Sequence, residues 1–335
     1  MNIFYAVQAN GNGHFSRAIQ ILPYLQKYGN VDIFLSGNNT QLQHTIPIKY
    51  RSKGVNLLYK NNGGLDYIET FKSIPMQLLI NEARALPLKD YDLILNDFEF
   101  VTSLACNIQK KDSIHFGHQA SFQSKLTPRS KSYNPFGKFV LQNLIKSTKY
   151  MGLHFKAYDK HIYNPIIKDV IINAIPTNEG HITVYLPQYS KSILEPYLLQ
   201  CKRTRFEVFT KEQSKKTSLD NISYFPISNE NFTNSLIKSN GIISSGGFET
   251  PAEAMYLEKK LLCIPIKNHF EQECNAEALS RLGVKVIQKI DSEFTQVLNK
   301  WLVDDKIISL KLKHSTEELI DTLMNKVAKN ELIMA

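Results

Sequence analysis

The sequence predicts an α/β protein built from two doubly wound domains, each with a mostly parallel sheet between helices. Short apolar strands alternate with helices in the first half of the chain, and the same alternation starts again near residue 180. The length of 335 residues also fits two domains of ordinary size. We place the domains at residues 1–170 and 171–335, because Pro165, Pro176 and Gly180 punctuate the chain between them.

The first half contains four predicted strands separated by helices. Their apolar runs are short and uninterrupted, which is typical of parallel strands that are buried on both faces. The predicted strands are Asn2–Ala9, Val31–Ser36, Asp92–Asn96 and Ser113–Gly117, and the predicted helices are about Phe15–Lys27 and Phe100–Gln109.

The second half repeats this alternation. In doubly wound sheets ligands bind outside the carboxyl ends of the strands, so the loops that follow strands are where function is expected. The predicted strands are Ile182–Leu186, Arg205–Phe209, Ile222–Phe225, Gly241–Ser244 and Leu261–Pro265, and the predicted helices are about Asn229–Lys238, Thr250–Leu257 and Glu271–Leu282.

Composition points to a globular protein that can bury a core, with 43% hydrophobic and 21% charged residues. The chain has no run of 18 apolar residues and no signal-peptide pattern at its start, so we expect a cytoplasmic protein without a transmembrane helix. The cysteines are far apart and form no Cys-x-x-Cys pair, so we expect reduced thiols and no zinc site. They are Cys106, Cys201, Cys263 and Cys274.

The charge of the chain is unevenly distributed. Residues 1–170 hold 20 Lys and Arg against 11 Asp and Glu, whereas residues 171–335 hold 20 of each class. Ser121–Phe155 has six basic residues, no acidic one and many apolar side chains. It predicts either a surface helix that lies on anionic lipid or an ordinary helix packed on the domain with its lysines outward. The candidate contacts to an anionic partner, or to the inner face of a membrane, are Lys125, Arg129, Lys131 and Lys138.

A glycine-rich turn with a histidine, Gly11-Asn12-Gly13-His14, follows the first strand. There the backbone can approach a ligand closely, and the next helix directs its N-terminal N–H groups to the same place. NAD binding is disfavoured, because Ser16 replaces the third glycine of that fingerprint and the second strand ends in Ser36-Gly37-Asn38-Asn39 without an acidic residue. His14 is a candidate general base, since imidazole titrates near neutral pH, or else a histidine that holds the turn.

A second turn, Ser244-Ser245-Gly246-Gly247-Phe248-Glu249-Thr250, ends a strand and opens a helix in the second half. Its glycines and the N-terminal N–H groups of the helix can cradle a diphosphate. Glu253, one turn into the helix, can accept hydrogen bonds from ribose hydroxyls. Alternatively, Thr250 and Glu253 form a capping box with Pro251 at the first helical position.

A third turn begins at Pro265 and also leads from a strand into a helix. Its adjacent Glu271 and Gln272 offer acceptor and donor groups that suit a polyhydroxylated ring. The alternative is the acidic enrichment that stabilises the first turn of any helix.

Together the three turns resemble those of GT-B glycosyltransferases. The pattern Gly-Gly-x-x-Thr-x-x-Glu, followed by Pro-x-x-x-x-x-Glu-Gln-x-x-Asn-Ala, is similar to that of the superfamily of the family 28 lipid-II GlcNAc transferase and the family 1 UDP-glycosyltransferases. The turn at residues 11–18 resembles the Gly-x-Gly-His-x-x-Arg-Ala of bacterial and archaeal members. The resemblance covers both halves. It implies two Rossmann-like domains facing a cleft, an N-terminal acceptor domain, a C-terminal nucleotide-sugar domain, and a last helix that packs back on the first.

The resemblance also implies roles for the matching residues. His14 matches the base that activates the acceptor hydroxyl. UDP is favoured as the nucleotide by the resemblance alone, and the acceptor does not carry over because the first turn has fewer glycines than that of the lipid-II enzyme. The implied donor site comprises Gly13, Ser245, Gly246, Gly247, Phe248 and Thr250, with Glu253 at the ribose and Glu271 and Gln272 at the sugar.

We therefore expect an inverting single displacement from a nucleotide sugar to a hydroxyl, with a lipid or cell-envelope glycan as a candidate acceptor. No cofactor is expected, because the nucleotide sugar is a substrate. No metal is expected either, since no Asp-x-Asp ends a strand and a helix N-terminus can stabilise the leaving diphosphate. Asp97 and Glu99 are candidates to orient His14 or the acceptor, unless they are merely solvated loop residues. His118 is the second candidate base.

Two other functions remain open at this stage. One is a UDP-sugar 2-epimerase of the same architecture, which would need several carboxylates in the cleft. The other is a binding protein without catalysis for nucleotide sugars or nucleic acid. A nucleic-acid partner is not expected, because strands with the aromatic pattern of RNA-recognition domains are absent from the sequence.

Overall fold

A computed structural model describes residues 1–9, 11–37, 46–59 and 64–334 of the chain. Asn10, Asn38 and Asn39, which belong to turns considered above, lie outside these ranges. Within them the chain forms two mostly parallel sheets with helices around them, which confirms the predicted α/β class.

The first sheet is built mainly from the N-terminal half. Its parallel strands lie in the spatial order β6-β5-β4-β1-β2-β3, with β7 beside β6. Their apolar side chains are buried, as expected for a sheet covered on both faces. These strands are β1 Asn2–Gln8, β2 Asn30–Ser36, β3 Ile48–Ser52, β4 Leu93–Asp97, β5 Ile114–Gly117, β6 Lys149–Leu153 and β7 Ile162–Tyr163.

The second sheet is built from the C-terminal half in the order β10-β11-β9-β8-β12-β13-β14. All neighbouring strands in it run parallel except β10, which is antiparallel to β11. These strands are β8 His181–Tyr185, β9 Arg205–Thr210, β10 Thr217–Leu219, β11 Ile222–Pro226, β12 Gly241–Ser244, β13 Lys260–Cys263 and β14 Lys285–Val286.

Helices connect the strands, and the last of them returns to the first domain. Lys27 pairs with Glu317, and the Tyr28 hydroxyl donates to Asp321 over 2.5 Å, so α12 lies against α1. After α12, β15 (Ile333–Met334) adds an antiparallel edge to β6. The helices are α1 Asn12–Leu25, α2 Tyr67–Lys72, α3 Met76–Ala85, α4 Phe100–Gln109, α5 Pro135–Asn143, α6 Asp169–Ile172, α7 Lys191–Leu198, α8 Asn229–Lys238, α9 Glu249–Tyr256, α10 Phe270–Leu282, α11 Phe294–Val303 and α12 Thr316–Ala328.

The expectation of one helix in the basic segment Ser121–Phe155 is wrong. The segment contains the end of a 3₁₀ turn (Gln119–Gln123), the nine-residue helix α5 and the inner strand β6. Tyr150, Met151 and Leu153 of β6 are buried, and a short apolar run buried in a sheet cannot be told from a buried helix by periodicity alone.

Two helix starts also differ from prediction. Helix α1 begins at Asn12, so His14 lies in its first turn rather than before it. Helix α9 begins at Glu249 with Phe248 as its N-cap and no side-chain cap, so the capping box at Thr250 and Glu253 is wrong. Thr250 already lies inside the helix, which leaves the side chains of Thr250 and Glu253 without a capping role.

Each sheet has a place where neighbouring strands are followed by connections that run in opposite directions. In the first sheet this place lies between β1 and β4, and in the second between β8 and β12. Crevices form at the carboxyl ends of such strand pairs. The turns with His14 and Gly246 follow β1 and β12 directly, so the topology places both at crevices. Across the described ranges, no helix is long and apolar enough to cross a membrane.

Candidate active site

The carboxylate of Asp97, at the end of β4, is fully buried and accepts hydrogen bonds from three side chains. Arg17 donates from Nε to Oδ2 over 2.9 Å and from Nη2 to Oδ1 over 2.7 Å. His14 Nδ1 lies 2.8 Å from Oδ1, and the Tyr5 hydroxyl donates to Oδ2 over 3.4 Å. Burial alone would raise the pKa of Asp97, but Arg17 and His14 outweigh it and hold the pKa well below its usual value. Asp97 is therefore ionised at neutral pH.

His14 lies in the first turn of α1 with 16% of its side chain exposed. His14 Nδ1 lies 2.8 Å from the ionised carboxylate of Asp97 and 3.0 Å from Arg17 Nη2, which itself donates to Asp97 over 2.7 Å. A hydrogen bond from Nδ1 to the carboxylate places the proton of the neutral imidazole on Nδ1 and its lone pair on Nε2. The amide nitrogen of Gln119 lies 3.2 Å from Nε2 and donates to that lone pair. A hydroxyl that took the place of the Gln119 amide would meet an oriented base.

The backbone is strained at Phe98, the residue that follows Asp97. Phe98 has a φ of 58°, in the left-handed region that bulky residues rarely adopt. Glu99 then accepts from the backbone N–H groups of Val101 and Thr102 and from the Ser36 hydroxyl, with its carboxylate fully buried. Glu99 is therefore the cap of α4, and the expectation that it orients His14 or the acceptor is wrong.

The diphosphate-loop candidate faces His14 from the second domain. A β-carbon on Gly247 would meet nothing within 4 Å, whereas one on Gly246 would lie 2.7 Å from the carbonyl oxygen of Gln272. Gly247 thus offers open backbone at the start of α9. A β-carbon on Gly13 would lie 2.5 Å from Glu249 Oε2, so glycine at position 13 lets α1 approach α9 closely. Ser245 is buried, and its backbone N–H donates to the backbone carbonyl of Tyr185.

Arg17 and Glu249 join the two domains at this point. Arg17 Nη1 donates to Glu249 Oε1 while the rest of the guanidinium binds Asp97. The sequence motifs alone indicate no role for Arg17 or Glu249. Arg17 lies three residues after His14, which places both on one face of α1, and this spacing was the available signal.

Glu253, the residue predicted to bind the ribose, lines a cavity beside α9. Glu253 is 3% exposed, and its Oε1 lies 3.1 Å from Lys168 Nζ. Burial raises the pKa of Glu253 more than Lys168 lowers it. Lys168 was not predicted, because nothing in the sequence links the stretch between the domains to this helix. Rings and polar groups line the cavity, among them Tyr185, Phe209, Phe232, Asn229, Thr250 and Asn12.

Glu271 and Gln272 point to different places. Glu271 is hydrogen-bonded to Gln119 and lies 4.0 Å from His118, and although burial would raise its pKa, the neighbouring histidines hold it below the usual value. Gln272 Oε1 accepts from the backbone N–H groups of Gly246 and Ile266 over 3.1 and 3.0 Å. Glu271 thus reaches the cleft beside the base, while the carbonyl of Gln272 ties the second turn to the third.

His118 is packed between the domains rather than open to the cleft. It is 1% exposed, and its ring stacks on Phe248 with centroids 3.9 Å apart. Nδ1 lies 3.1 Å from the Leu153 carbonyl and Nε2 lies 2.8 Å from Asn275 Oδ1. Burial lowers its pKa. With both ring nitrogens engaged, His118 is a poorer candidate base than His14, and Phe248 serves as its stacking partner.

The predicted basic contacts divide into two groups. Lys125, Lys131 and Lys138 are exposed. The guanidinium of Arg129 instead donates to four backbone carbonyls, so the expectation that it contacts an anionic partner is wrong. Those carbonyls belong to Phe122, Ser124, Lys125 and Thr127.

Residues 1–304 match the model of one protein family, glycosyl transferase family 1. No curated protein matches the chain by sequence.

Solved structures similar to the chain share its architecture. The glycotransferase of kitacinnamycin is 12% identical with a TM-score of 0.60, and the match covers 99% of both chains. UGT89C1 from Arabidopsis thaliana in complex with UDP is 11% identical with a TM-score of 0.56 and 90% of each chain covered. A UDP-N-acetylglucosamine 2-epimerase is 12% identical with a TM-score of 0.56, covering 98% of this chain and 97% of its own. These similarities show that the fold is GT-B.

Proposed function

The chain belongs to glycosyl transferase family 1 and is a GT-B glycosyltransferase, and we propose that it transfers a sugar from a UDP-sugar to an acceptor hydroxyl with inversion and without a metal ion. One observation carries the proposal. An oriented histidine on α1 of the first domain lies close to the N-terminus of α9 of the second, where the backbone of Gly247 is open. A base and a site for a leaving diphosphate on opposite sides of a cleft are what a single displacement requires.

His14 is the proposed base. The acceptor oxygen forms a bond to the anomeric carbon while its proton passes to His14 Nε2. The bond from the anomeric carbon to the diphosphate breaks on the opposite face, and the nucleoside diphosphate leaves with the electron pair. Attack and departure from opposite faces invert the anomeric centre. Asp97 fixes the required tautomer and stabilises the imidazolium that forms.

The leaving group is stabilised in this proposal by α9. Its first backbone N–H groups have no intrahelical partner, and the positive end of the helix dipole points to the same place. The backbone at Gly247 is open for a close approach. Among the residues that the structure describes, no group of three His, Cys, Asp or Glu side chains is arranged to hold a metal ion.

The cavity beside α9 is the proposed nucleoside site. Glu253 is buried with its carboxylate toward Lys168, a position from which it can accept hydrogen bonds from ribose hydroxyls. The rings of Tyr185, Phe209 and Phe232 line the same cavity and can pack against a base. UDP is the proposed nucleotide because UGT89C1, a structural neighbour, is described as complexed with UDP.

A lipid-linked acceptor on an anionic membrane is the proposed second substrate. Four large apolar side chains of the basic segment are exposed next to Lys125, Lys131 and Lys138, and together they form what we name the basic-apolar face. The segment borders the cleft, since Ser132 donates to Glu273 of α10. Apolar side chains with flanking lysines suit an anionic lipid surface. The apolar members are Leu126, Tyr133, Phe136 and Phe139.

Vesicle sedimentation tests the membrane part. Polybasic surfaces gain about 1 kcal/mol per Lys near anionic lipid, so replacing Lys125, Lys131 and Lys138 together by Gln should weaken binding to anionic vesicles about 100-fold. The matched control replaces three exposed lysines of the second domain, Lys211, Lys215 and Lys216, by Gln. If wild type binds anionic and neutral vesicles equally, or binds neither, the proposed membrane contact is wrong and the acceptor is a soluble molecule.

Thermal stabilisation by a panel of UDP-, GDP- and dTDP-sugars tests the donor, because a ligand that binds the native state raises its apparent stability. The proposal expects UDP-sugars to raise the melting temperature most. His14→Ala should keep this stabilisation and lose turnover. A panel without any stabilising nucleotide sugar would rule out the proposed donor site.

A UDP-sugar 2-epimerase is the second candidate. The cleft brings together the carboxylates of Asp97, Glu249 and Glu271, which this chemistry would need. Incubation with a UDP-sugar in the absence of an acceptor separates the two candidates. The epimerase yields a UDP-sugar with a changed configuration at C2, whereas the transferase releases UDP.

A further inference from the structure

We propose that Arg17 is a donor-binding residue, which exchanges the carboxylate of Glu249 for the diphosphate of the donor across the cleft. The inference rests on the proposed function and extends it, since it adds to the site in the second domain a cationic contact from the first.

The geometry of Arg17 divides its guanidinium into two sides. Nε and Nη2 bind Asp97 over 2.9 and 2.7 Å and hold the side chain beside His14. Nη1 points the other way and donates to Glu249 across the domain boundary. At 3% exposure the guanidinium is almost completely buried. One side is therefore fixed by the first domain, and the other is presented to the second.

The carboxylate of Glu249 lies where the diphosphate of the donor is expected to bind. It is the first residue of α9, two residues after the open backbone of Gly247, where the helix N-terminus favours negative charge. Its side chain is 23% exposed at the cleft, unlike the buried Asp97, and can turn outward into solvent. A diphosphate bound at Gly247 would bring a second anion to the same place.

We expect the diphosphate to replace the carboxylate of Glu249 at the guanidinium of Arg17. The carboxylate of Glu249 would repel a diphosphate at close range, whereas Arg17 offers N–H groups that match phosphate oxygens. When Glu249 turns away, Nη1 becomes free for the distal phosphate while Nε and Nη2 remain on Asp97. The same guanidinium would then connect the leaving group with the carboxylate that orients the base.

The test compares the affinities of UDP and uridine by calorimetry in the full chain. Uridine lacks phosphates, so the ratio of the two affinities isolates the phosphate contact. Arg17→Lys should weaken UDP binding roughly 10-fold to 100-fold, the scale of a lost charged hydrogen bond, and leave uridine within threefold. Glu249→Gln should strengthen UDP binding about threefold to tenfold, because a like charge near the diphosphate is removed. Lys27→Gln, at an exposed position two residues after the end of α1, is the matched control and should change neither affinity.

If Arg17→Lys does not fold, the Glu249→Gln variant still tests the proposal. The proposal predicts stronger UDP binding in Glu249→Gln. If the pair of Arg17 and Glu249 only bridges the domains, Glu249→Gln should bind UDP as wild type does or more weakly. An unchanged ratio of UDP to uridine affinity in the folded variants would overturn the role of Arg17 and leave the proposed function standing. Failure of the wild type to bind UDP would overturn the UDP donor, and this role of Arg17 with it.

Discussion

Replacing Asp97 by asparagine removes one buried negative charge at almost constant volume. The carboxylate accepts two hydrogen bonds from Arg17 and one from His14, and none of it is exposed. Removing one partner of a buried ion pair costs about 3–5 kcal/mol, because the other charge stays buried. Since Glu249 remains beside Arg17, we expect the lower end, about 3 kcal/mol of unfolding free energy. The pKa of Asp97 lies below its usual value, so this contribution is present above about pH 4 and is lost as the pH falls through the folded-state pKa.

The same substitution should slow catalysis through the orientation of His14. We expect the release of UDP from a UDP-sugar, with water as acceptor, to fall about 100-fold or more, within the usual range of general base catalysis. Urea unfolding and a UDP-release assay measure the two effects separately. Asp32→Asn is the matched control, because Asp32 is paired with Lys49 in a partly exposed position toward the amino ends of β2 and β3, whereas Asp97 is at the carboxyl end of β4. An Asp97→Asn variant whose free energy of unfolding is within about 1 kcal/mol of wild type, and whose rate of UDP release is within about threefold, would refute the reasoning.

Three further predictions concern Glu253, the metal requirement and His115, a buried histidine of β5. Glu253→Gln should weaken both UDP and uridine binding by about 1–3 kcal/mol in calorimetry, whereas Glu277→Gln, in a partly exposed ion pair with Arg281 on α10, should change neither. UDP release should continue in EDTA, and a complete loss restored by magnesium or manganese would contradict the proposed metal independence. Burial lowers the pKa of His115 to about 4, so the unfolded chain takes up its proton first as the pH falls from 7. Stability should therefore drop by about 2 kcal/mol more between pH 7.5 and pH 5 in wild type than in His115→Phe, measured by urea unfolding.

Several strands and helices could be predicted because each is specified by its own local sequence. Helices α4 and α8 match their predicted bounds, and strand β12 does as well. Other elements depend on partners distant in sequence. Strand β3 is a five-residue edge strand in which only Ser52 is buried, and β15 is a two-residue edge strand beside β6. Such short edge segments give only a weak local signal, and tertiary pairing decides their structure.

The candidate site divides in the same way. The glycine-rich turns and His14 are visible in the sequence, because a strand, a glycine and a helix start follow one another directly. The cluster around Asp97 is visible only in part, because the sequence indicates Asp97 as a residue that could orient His14, whereas the contacts of Asp97 with Tyr5 and Arg17 are not indicated. The pairing of β1 with β4 brings these side chains together. Arg17 and Lys168 were missed for a related reason. The partner of each, Glu249 or Glu253, lies across the domain boundary, and no local pattern records such a contact.

The most direct test of the account follows a UDP-sugar by proton NMR during incubation with wild type and with His14→Ala. We predict that wild type releases UDP and a sugar whose anomeric proton first appears with inverted configuration. We predict that His14→Ala does so about 100-fold to 10,000-fold more slowly, with donor affinity and melting temperature nearly unchanged. A UDP-sugar that keeps its nucleotide but changes its configuration at C2, or a His14→Ala variant within threefold of wild type, would contradict the account.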